Sequence, residues 1–212
     1  GQYGYGDKFL GIKVPETRAI VKECRTLVSM EDAIYLVKSE WHEVRLAGFL
    51  FMIELYKKGV KTKDDPAVEE IIKIYLELIP YGNNWDLVDL VAPKILGEYL
   101  VLHPEKRTIL DDFSERSDSL WHQRVAIVAT WTLICNGVYN DTLRISQKYL
   151  SHSHDLIHKA SGWMLREMGK RGGEKELRSF LDEYAASMPR TMLRYSIERF
   201  PEQDRQLYLK LS

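Results

Sequence analysis

Similar residues recur along this chain at intervals of about 40 positions, and no other feature of the sequence constrains the fold as strongly. Trp41-His42 is echoed by Trp121-His122, 80 residues later. Trp85 precedes Arg124 by 39 residues, and Arg124 precedes Trp163 by 39 more. Helix pairs repeated at this period are typical of HEAT-like arrays, in which equivalent helices line one concave face. We therefore expect Trp85, Arg124 and Trp163 to occupy equivalent positions on successive inner helices.

Nearly every segment has the pattern of an α-helix. Apolar residues recur with helical spacing, strand-like alternation is absent, and glycine or proline marks the turns. We predict one helix from Trp41 to Lys58 that ends at Gly59, and another from Ser119 to Asn136 that ends at Gly137. We also predict a kink at Pro93, because proline inside a helix removes a hydrogen bond. The fold class is therefore all-α, a HEAT-like helical repeat solenoid with a concave binding face.

Composition excludes several classes of protein. Apolar residues make up 45% and charged residues 29% of the 212, and no apolar run is long enough to cross a bilayer. The two cysteines show no disulfide or zinc spacing, which predicts two buried thiols in a cytoplasmic protein, nucleoid-associated if it is bacterial. A net charge of −1 means that nucleic-acid binding would need the 30 Lys and Arg residues to segregate. We expect a single domain over 1–212, and a start at Gly1 is compatible with a missing N-terminal helix.

The segment Asn84-Trp85-Asp86-Leu87-Val88-Asp89 is the strongest candidate for a functional site. Asn84 is a good helix N-cap, and Trp85 and Asp89, four residues apart, then project from one face of the helix. An indole beside a carboxylate suits a ligand that is positively charged and flat or sugar-like. The structural alternative places Trp85 in the core and Asp89 at a helix start that stabilises its charge.

Cationic residues follow one face of the helix predicted for His154 to Lys170. Four residues spaced by four, three and four positions share this face, opposite an apolar one: Lys159, Trp163, Arg166 and Lys170. The cations could bind phosphates and the ring a base or sugar, although an ordinary solvated face is the alternative. Arg190 and Arg194, also four residues apart, could form a second phosphate clamp or be plain surface charge.

Arg124 lies at the start of an otherwise apolar helix, where an arginine is rarely left unpaired. It could pair with Asp86 or Asp89, or form a forked contact with a phosphate. Three histidines cluster near residue 154, but no glutamate-rich or cysteine partner accompanies them, so we predict no metal site. The sequence also lacks a phosphate-binding glycine loop and a serine nucleophile elbow.

Six segments resemble the AlkD-like DNA alkylation repair proteins, a family of HEAT-like-repeat alkylpurine DNA glycosylases. The resemblance covers nearly the whole chain. The segments are Phe9-Leu10-Gly11-Ile12, Pro15-Glu16-x-Arg18, Asn84-Trp85-Asp86-Leu87-Val88-Asp89, Leu120-Trp121-x-x-Arg124, Lys159-Ala160-x-Gly162-Trp163-x-Leu165-Arg166 and Met188-Pro189-Arg190-Thr191-x-Leu193-Arg194-Tyr195.

This resemblance implies an enzyme that holds duplex DNA in a concave basic cleft and excises cationic N3- or N7-alkylated purines by hydrolysing the N-glycosidic bond. It implies that lesions are handled while still stacked. Trp85, Asp89 and Trp163 match the active-site positions, and Arg124 matches an arginine that contacts the DNA backbone. Tyr5 is a further candidate DNA contact. We expect a monomer without metal or cofactor, whose partner is double-stranded DNA carrying alkylated bases and not a membrane.

The residues are compatible with that chemistry. An N-alkylated purine already carries a positive charge, so it leaves without a general acid. One carboxylate is then enough to stabilise the oxocarbenium-like sugar and to hold a water. Two other functions stay open: a module that binds damaged DNA without cutting it, and a protein–protein scaffold whose tryptophans meet a peptide or helix.

Overall fold

A computed structural model describes residues 6–211 of the protein, and most of these residues are helical. Within this range the only strand-like pairing is one isolated bridge, between Lys8 and Trp41, so the expected all-α fold class is confirmed. The α-helices are α1 (Val14–Cys24), α2 (Met30–Val37), α3 (His42–Thr62), α4 (Asp65–Leu78), α5 (Trp85–Val91), α6 (Glu98–Leu102), α7 (Thr108–Ser114), α8 (Leu120–Val128), α9 (Thr130–Cys135), α10 (Asn140–Lys148), α11 (Asp155–Lys170), α12 (Glu174–Tyr184), α13 (Arg190–Ser196) and α14 (Glu202–Leu211). Single 3₁₀ turns span Ile79–Tyr81, Pro104–Lys106 and Tyr149–Ser151, and a π-helical turn spans Pro93–Gly97.

Contacts divide the chain into two compact units, one ending at Leu96 and the other beginning at Gly97. In the first unit α3 is the central element, and α1, α2, α4 and α5 all pack against it. Its side chains are buried along most of its length, with Phe49, Met52, Ile53 and Tyr56 almost inaccessible to solvent. A helix that is apolar on most sides has to be covered on most sides, which explains its central place.

In the second unit α11 is the central helix, and α8, α9, α10, α12 and α13 pack against it. The apolar face expected for this helix is buried, as the exposures of Ile157, Met164, Leu165 and Met168 confirm. Gly162 faces α13, where an added Cβ would lie 2.5 Å from the carbonyl oxygen of Met192. Glycine is therefore required for this close approach of two helices.

Two helix ends differ from the sequence prediction. α3 continues past Gly59 to Thr62 and ends at Lys63, which takes the left-handed conformation with φ of 56°. Gly59 instead leaves room for α4, since a Cβ there would lie 3.0 Å from Cγ2 of Val68. The single helix predicted from Ser119 to Asn136 is two helices, α8 and α9. At the break the hydroxyl of Thr130 donates to the carbonyl of Ile127 (2.6 Å), a local bond that competes with regular helix geometry.

Other local expectations had mixed outcomes. The interruption at Pro93 is confirmed, because α5 ends at Val91 and a π-helical turn begins at the proline. The prediction of two buried thiols is wrong: Cys24 is half-buried and Cys135 is exposed. Between residues 6 and 211 no helix has the length and apolar character needed to span a membrane.

Candidate functional site

The helix predicted to carry the site, α5, presents Trp85 and Asp89 to solvent. Leu87, Val88 and Val91 are buried and attach the opposite side of the helix to the first unit. Trp85 is 45% exposed, so it is not a core residue, and Asp89 is half-buried. An accessible indole and a carboxylate therefore lie one helical turn apart on the same face.

The cap of α5 differs from the prediction. Asn84 occupies the N-cap position, but its side chain makes no cap hydrogen bond and its Nδ2 donates to Asp7 (3.2 Å) instead. The carboxylate of Asp86 satisfies one N–H of the first turn, because its Oδ1 accepts from the N–H of Leu87 at 2.9 Å. The start of the candidate site is thus tied to a residue near the beginning of the chain.

A buried polar network that the sequence analysis did not identify surrounds this helix start. His42 lies between two carboxylates, with Nε2 2.8 Å from Asp86 and Nδ1 3.2 Å from Asp7. The other oxygen of Asp7 accepts from Arg45 (2.7 Å) and from Asn83 (3.2 Å). The Trp-His repeat at Trp41 was the available signal, but nothing local to it points to residues 35 and 44 positions away.

Charges in this network are matched, and the pKa values reflect it. Burial disfavours the charged ring of His42, but the hydrogen bonds and charges of Asp86 and Asp7 outweigh burial and raise its pKa. Burial also opposes ionisation of Asp7, but hydrogen bonds from Asn84 and Arg45, with the charge of Arg45, lower its pKa. His42 therefore favours the protonated state and Asp7 the ionised one.

The repeated Trp-His motif has the opposite electrostatics in the second unit. The ring of His122 contacts Ser119 (2.7 Å) and Arg116 (3.1 Å), and among residues 6–211 no carboxylate lies as close to it. Burial and the positive charge of Arg116 lower the pKa of His122. Both histidines are almost fully buried, so the neighbours and not the burial decide which ring is charged.

The first unit also has a basic cleft that sequence reasoning missed, with a volume of about 260 Å³. Three of its cations are spaced by four and three positions along α1 and its C-cap. This is the same spacing that predicted a cationic face on α11, and it was the available signal. A single carboxylate, Glu54, lines the cleft and pairs with Lys57 (3.1 Å). The cationic side chains of the basic cleft are Arg18, Lys22, Arg25, Lys57 and Lys94.

Arg124 is buried at the second turn of α8, with 4% of its surface exposed. One guanidinium nitrogen donates to the carbonyl oxygen of Leu156 at 2.5 Å, so Arg124 ties α8 to the first turn of α11. The contact to a main-chain carbonyl was not among the partners considered from the sequence. With 4% of the residue exposed, the guanidinium has little accessible surface for the phosphate contact that the sequence suggested.

The predicted stripe on α11 is accessible, and carboxylates accompany its cations. Trp163, Lys159 and Arg166 are half-buried and Lys170 is exposed. Lys159 pairs with Asp155 (2.7 Å), and Arg166 pairs with Glu198. The buried Glu167, within the stripe, also pairs with Lys170 (3.2 Å), with Arg166 (3.4 Å) and with Arg171. The stripe is therefore less cationic than its lysines and arginines alone suggest.

The second predicted clamp is on α13, where both arginines are exposed. Arg190 donates to the carbonyl of Leu209 (2.7 Å). The side chain of Arg194 makes no hydrogen bond or ion pair with any residue of the described part of the chain. The remaining predicted DNA contact, Tyr5, lies outside the described residues. Within residues 6–211, no three or more His, Cys, Asp or Glu side chains are grouped so that they could hold a metal ion.

Comparison with known proteins identifies similar sequences and folds. A family model described as DNA alkylation repair enzyme matches residues 2–200. The fold is similar to a solved structure described as a predicted DNA alkylation repair enzyme from Enterococcus faecalis, with a TM-score of 0.76 and 18% sequence identity. The similarity covers 94% of this chain and 92% of that one, and at this identity it shows a shared fold. No curated protein matches the sequence.

Proposed function

Because this chain belongs to the DNA alkylation repair enzyme family, we propose that it is a monofunctional DNA glycosylase for cationic N3- and N7-alkylated purines. The observation that carries this proposal is the exposed indole of Trp85 one turn from the carboxylate of Asp89. The substrate is duplex DNA, and the reaction needs no metal or cofactor. The chemistry follows from the charge of the damaged base.

The reaction is a hydrolysis that one carboxylate can support. The bond between C1′ and the glycosidic nitrogen breaks, and its electron pair neutralises the cationic purine, so no acid has to protonate the leaving base. The negative charge of Asp89 stabilises the positive charge that develops on the sugar. A water then attacks C1′ and loses a proton, which leaves a free alkylpurine and an abasic sugar.

In this proposal the tryptophans recognise the positive charge of the lesion. An indole face attracts a cation by about 0.5–2 kcal/mol, more when water is excluded. Trp85 supplies one face beside Asp89, and we propose that Trp163 on α11 supplies the second. An ordinary, uncharged purine would gain little from either ring.

DNA binding is supported by cations in each unit. The basic cleft of the first unit has five cations and one carboxylate among its lining residues. In the second unit Arg194 and Arg190 are exposed on α13. We propose that these groups contact phosphates, together with Lys159, Arg166 and Lys170 on α11. The ion pairs on α11 would then exchange a carboxylate partner for a phosphate.

The test is base release from duplex DNA that carries 7-methylguanine, compared with duplex DNA that carries hypoxanthine, a neutral base. We expect release of the cationic base only, because the neutral base would need an acid that the proposal does not supply. Equal release of both would contradict the proposed mechanism. Salt-dependent binding without release of either base would favour a damage-binding module, and no binding at all would favour a protein scaffold.

A further inference from the structure

The first turn of α5 is held by a chain of contacts that begins in α3. The two oxygens of Asp86 have different partners: Oδ2 lies 2.8 Å from Nε2 of His42, and Oδ1 accepts the N–H of Leu87 at 2.9 Å. The carboxylate therefore connects the histidine ring to the backbone of the helix that carries Trp85 and Asp89.

A second carboxylate contacts the other side of the ring. Nδ1 of His42 lies 3.2 Å from one oxygen of Asp7, whose other oxygen accepts from Arg45 at 2.7 Å. The side chains of His42 and Asp7 are only 4% and 5% exposed. Ionised carboxylates accept hydrogen bonds but cannot donate them, so both ring nitrogens have to carry protons to satisfy both contacts.

We propose that His42, doubly protonated between Asp7 and Asp86, is a positioning residue that fixes the direction in which Trp85 and Asp89 project. The consequence for catalysis rests on the proposed function, whereas the effect on α5 does not. Asp86 directly follows Trp85 and precedes Asp89 by three residues, so any rotation of this turn moves both side chains. A displacement of about 1 Å in a catalytic group can reduce a rate about 100-fold.

The surroundings of His42 explain why its charge has a structural effect. Phe9 covers the ring at a centroid distance of 4.8 Å, which limits access of water. The ring and its carboxylate partners are faced by groups from α3, from the N-terminal segment and from the start of α5: Arg45, Glu43, Asp7, Asn83, Asn84 and Asp86. When pH rises through the raised pKa of His42, the ring loses a proton and a ring lone pair faces a carboxylate. The contacts through which His42 and Asp86 fix the first turn of α5 are therefore complete at lower pH and are lost as pH rises.

A pH titration of the wild-type protein by NMR tests this coupling without any substrate. The ring protons of His42 and the amide protons of α5 are followed together. We expect the ring of His42 to titrate at a higher pH than the ring of His122. Above the midpoint of His42 the α5 amides should exchange faster, after correction for the intrinsic pH dependence of exchange. If exchange in α5 does not change through the titration of His42, the proposal is wrong.

Two matched variants separate positioning from general stability. His42→Gln keeps a polar side chain but cannot donate from two ring nitrogens, so the α5 amides should exchange about tenfold faster or more. His122→Gln alters the equivalent buried histidine of the second unit and should leave α5 unchanged. An equal effect of both variants on α5, or no effect of His42→Gln, would overturn the proposal, and the wild-type titration decides the case if His42→Gln does not fold.

An activity measurement links the positioning role to the reaction. His42→Gln should lower the rate of base release about 100-fold while the affinity for undamaged DNA stays unchanged. If the wild type releases no base but α5 exchange follows the titration of His42, the proposed function fails and the positioning role remains. If the wild type releases base and His42→Gln does so at the same rate, the positioning role fails alone.

Discussion

Replacement of Gly162 by alanine should destabilise the second unit, because the added methyl group has no room. A Cβ at this position would lie 2.5 Å from the carbonyl oxygen of Met192 and 2.6 Å from Cβ of Tyr195. Non-bonded carbon atoms prefer separations of about 3.5–4.0 Å, so α11 and α13 would have to move apart by about 1 Å. The oxygen of Met192 is a backbone atom and the Cβ of Tyr195 is bonded directly to the backbone, so neither can move away by rotation of a side chain.

The size of the effect follows from two opposing terms. Overpacking of this kind costs about 1–3 kcal/mol, and alanine recovers up to about 1 kcal/mol because it favours the helix over glycine. The two terms combine to a net loss of about 0–3 kcal/mol, and its midpoint of about 1.5 kcal/mol lowers the melting temperature by roughly 3–6 °C in a chain of this size.

Thermal unfolding followed by circular dichroism measures this loss, and Gly169→Ala is the matched control. Gly169 lies on the same helix, but its added Cβ would meet only Cδ2 of Leu177 at 2.7 Å, the far end of a flexible side chain. We expect Gly169→Ala to be as stable as the wild type or slightly more stable. A Gly162→Ala protein that melts at or above the temperature of the control would refute the close approach of α11 and α13.

Three further predictions concern charge and hydrogen bonding. Lys22→Ala should reduce the slope of log affinity for undamaged DNA against log salt by about one, whereas Lys73→Ala, an exposed control on α4, should not change it. Burial opposes ionisation of Glu167, but its hydrogen bonds to cations lower its pKa. The ionised side chain therefore adds to the free energy of unfolding at neutral pH, and this stabilisation is lost as pH falls through the pKa. Glu167→Gln should therefore unfold at lower urea than the wild type at neutral pH, and the difference should close in acid. Tyr149→Phe removes a buried hydroxyl that donates to a backbone carbonyl of α8 (2.8 Å) and should cost about 1–3 kcal/mol in urea unfolding, whereas Tyr35→Phe, at an exposed position, should cost nothing measurable.

The sequence predicted those features that depend on helical periodicity. The spacing of Trp85 and Asp89 placed them on one accessible face, and the apolar spacing on α11 identified its buried side. These predictions depend only on residues within a few turns of one helix, where geometry follows from residue number.

Features that depend on distant contacts could not be read from the sequence. Gly59 has the pattern of a helix end, but its role is to accommodate Val68 on the neighbouring helix. Asn84 has the pattern of an N-cap, but its side chain instead donates a hydrogen bond to Asp7, 77 residues away in the sequence. Likewise, nothing in the two Trp-His motifs indicates that His42 lies between carboxylates and His122 beside an arginine.

The most direct test of the proposed mechanism is single-turnover release of 7-methylguanine from duplex DNA by the wild type, Asp89→Asn and Asp112→Asn. Asp112 is an exposed carboxylate on α7 and serves as a matched control. We predict that Asp89→Asn lowers the rate about 100- to 1,000-fold with DNA affinity retained, and that Asp112→Asn equals the wild type. Release by Asp89→Asn at the wild-type rate would contradict the central claim that one carboxylate on α5 stabilises the developing charge on the sugar.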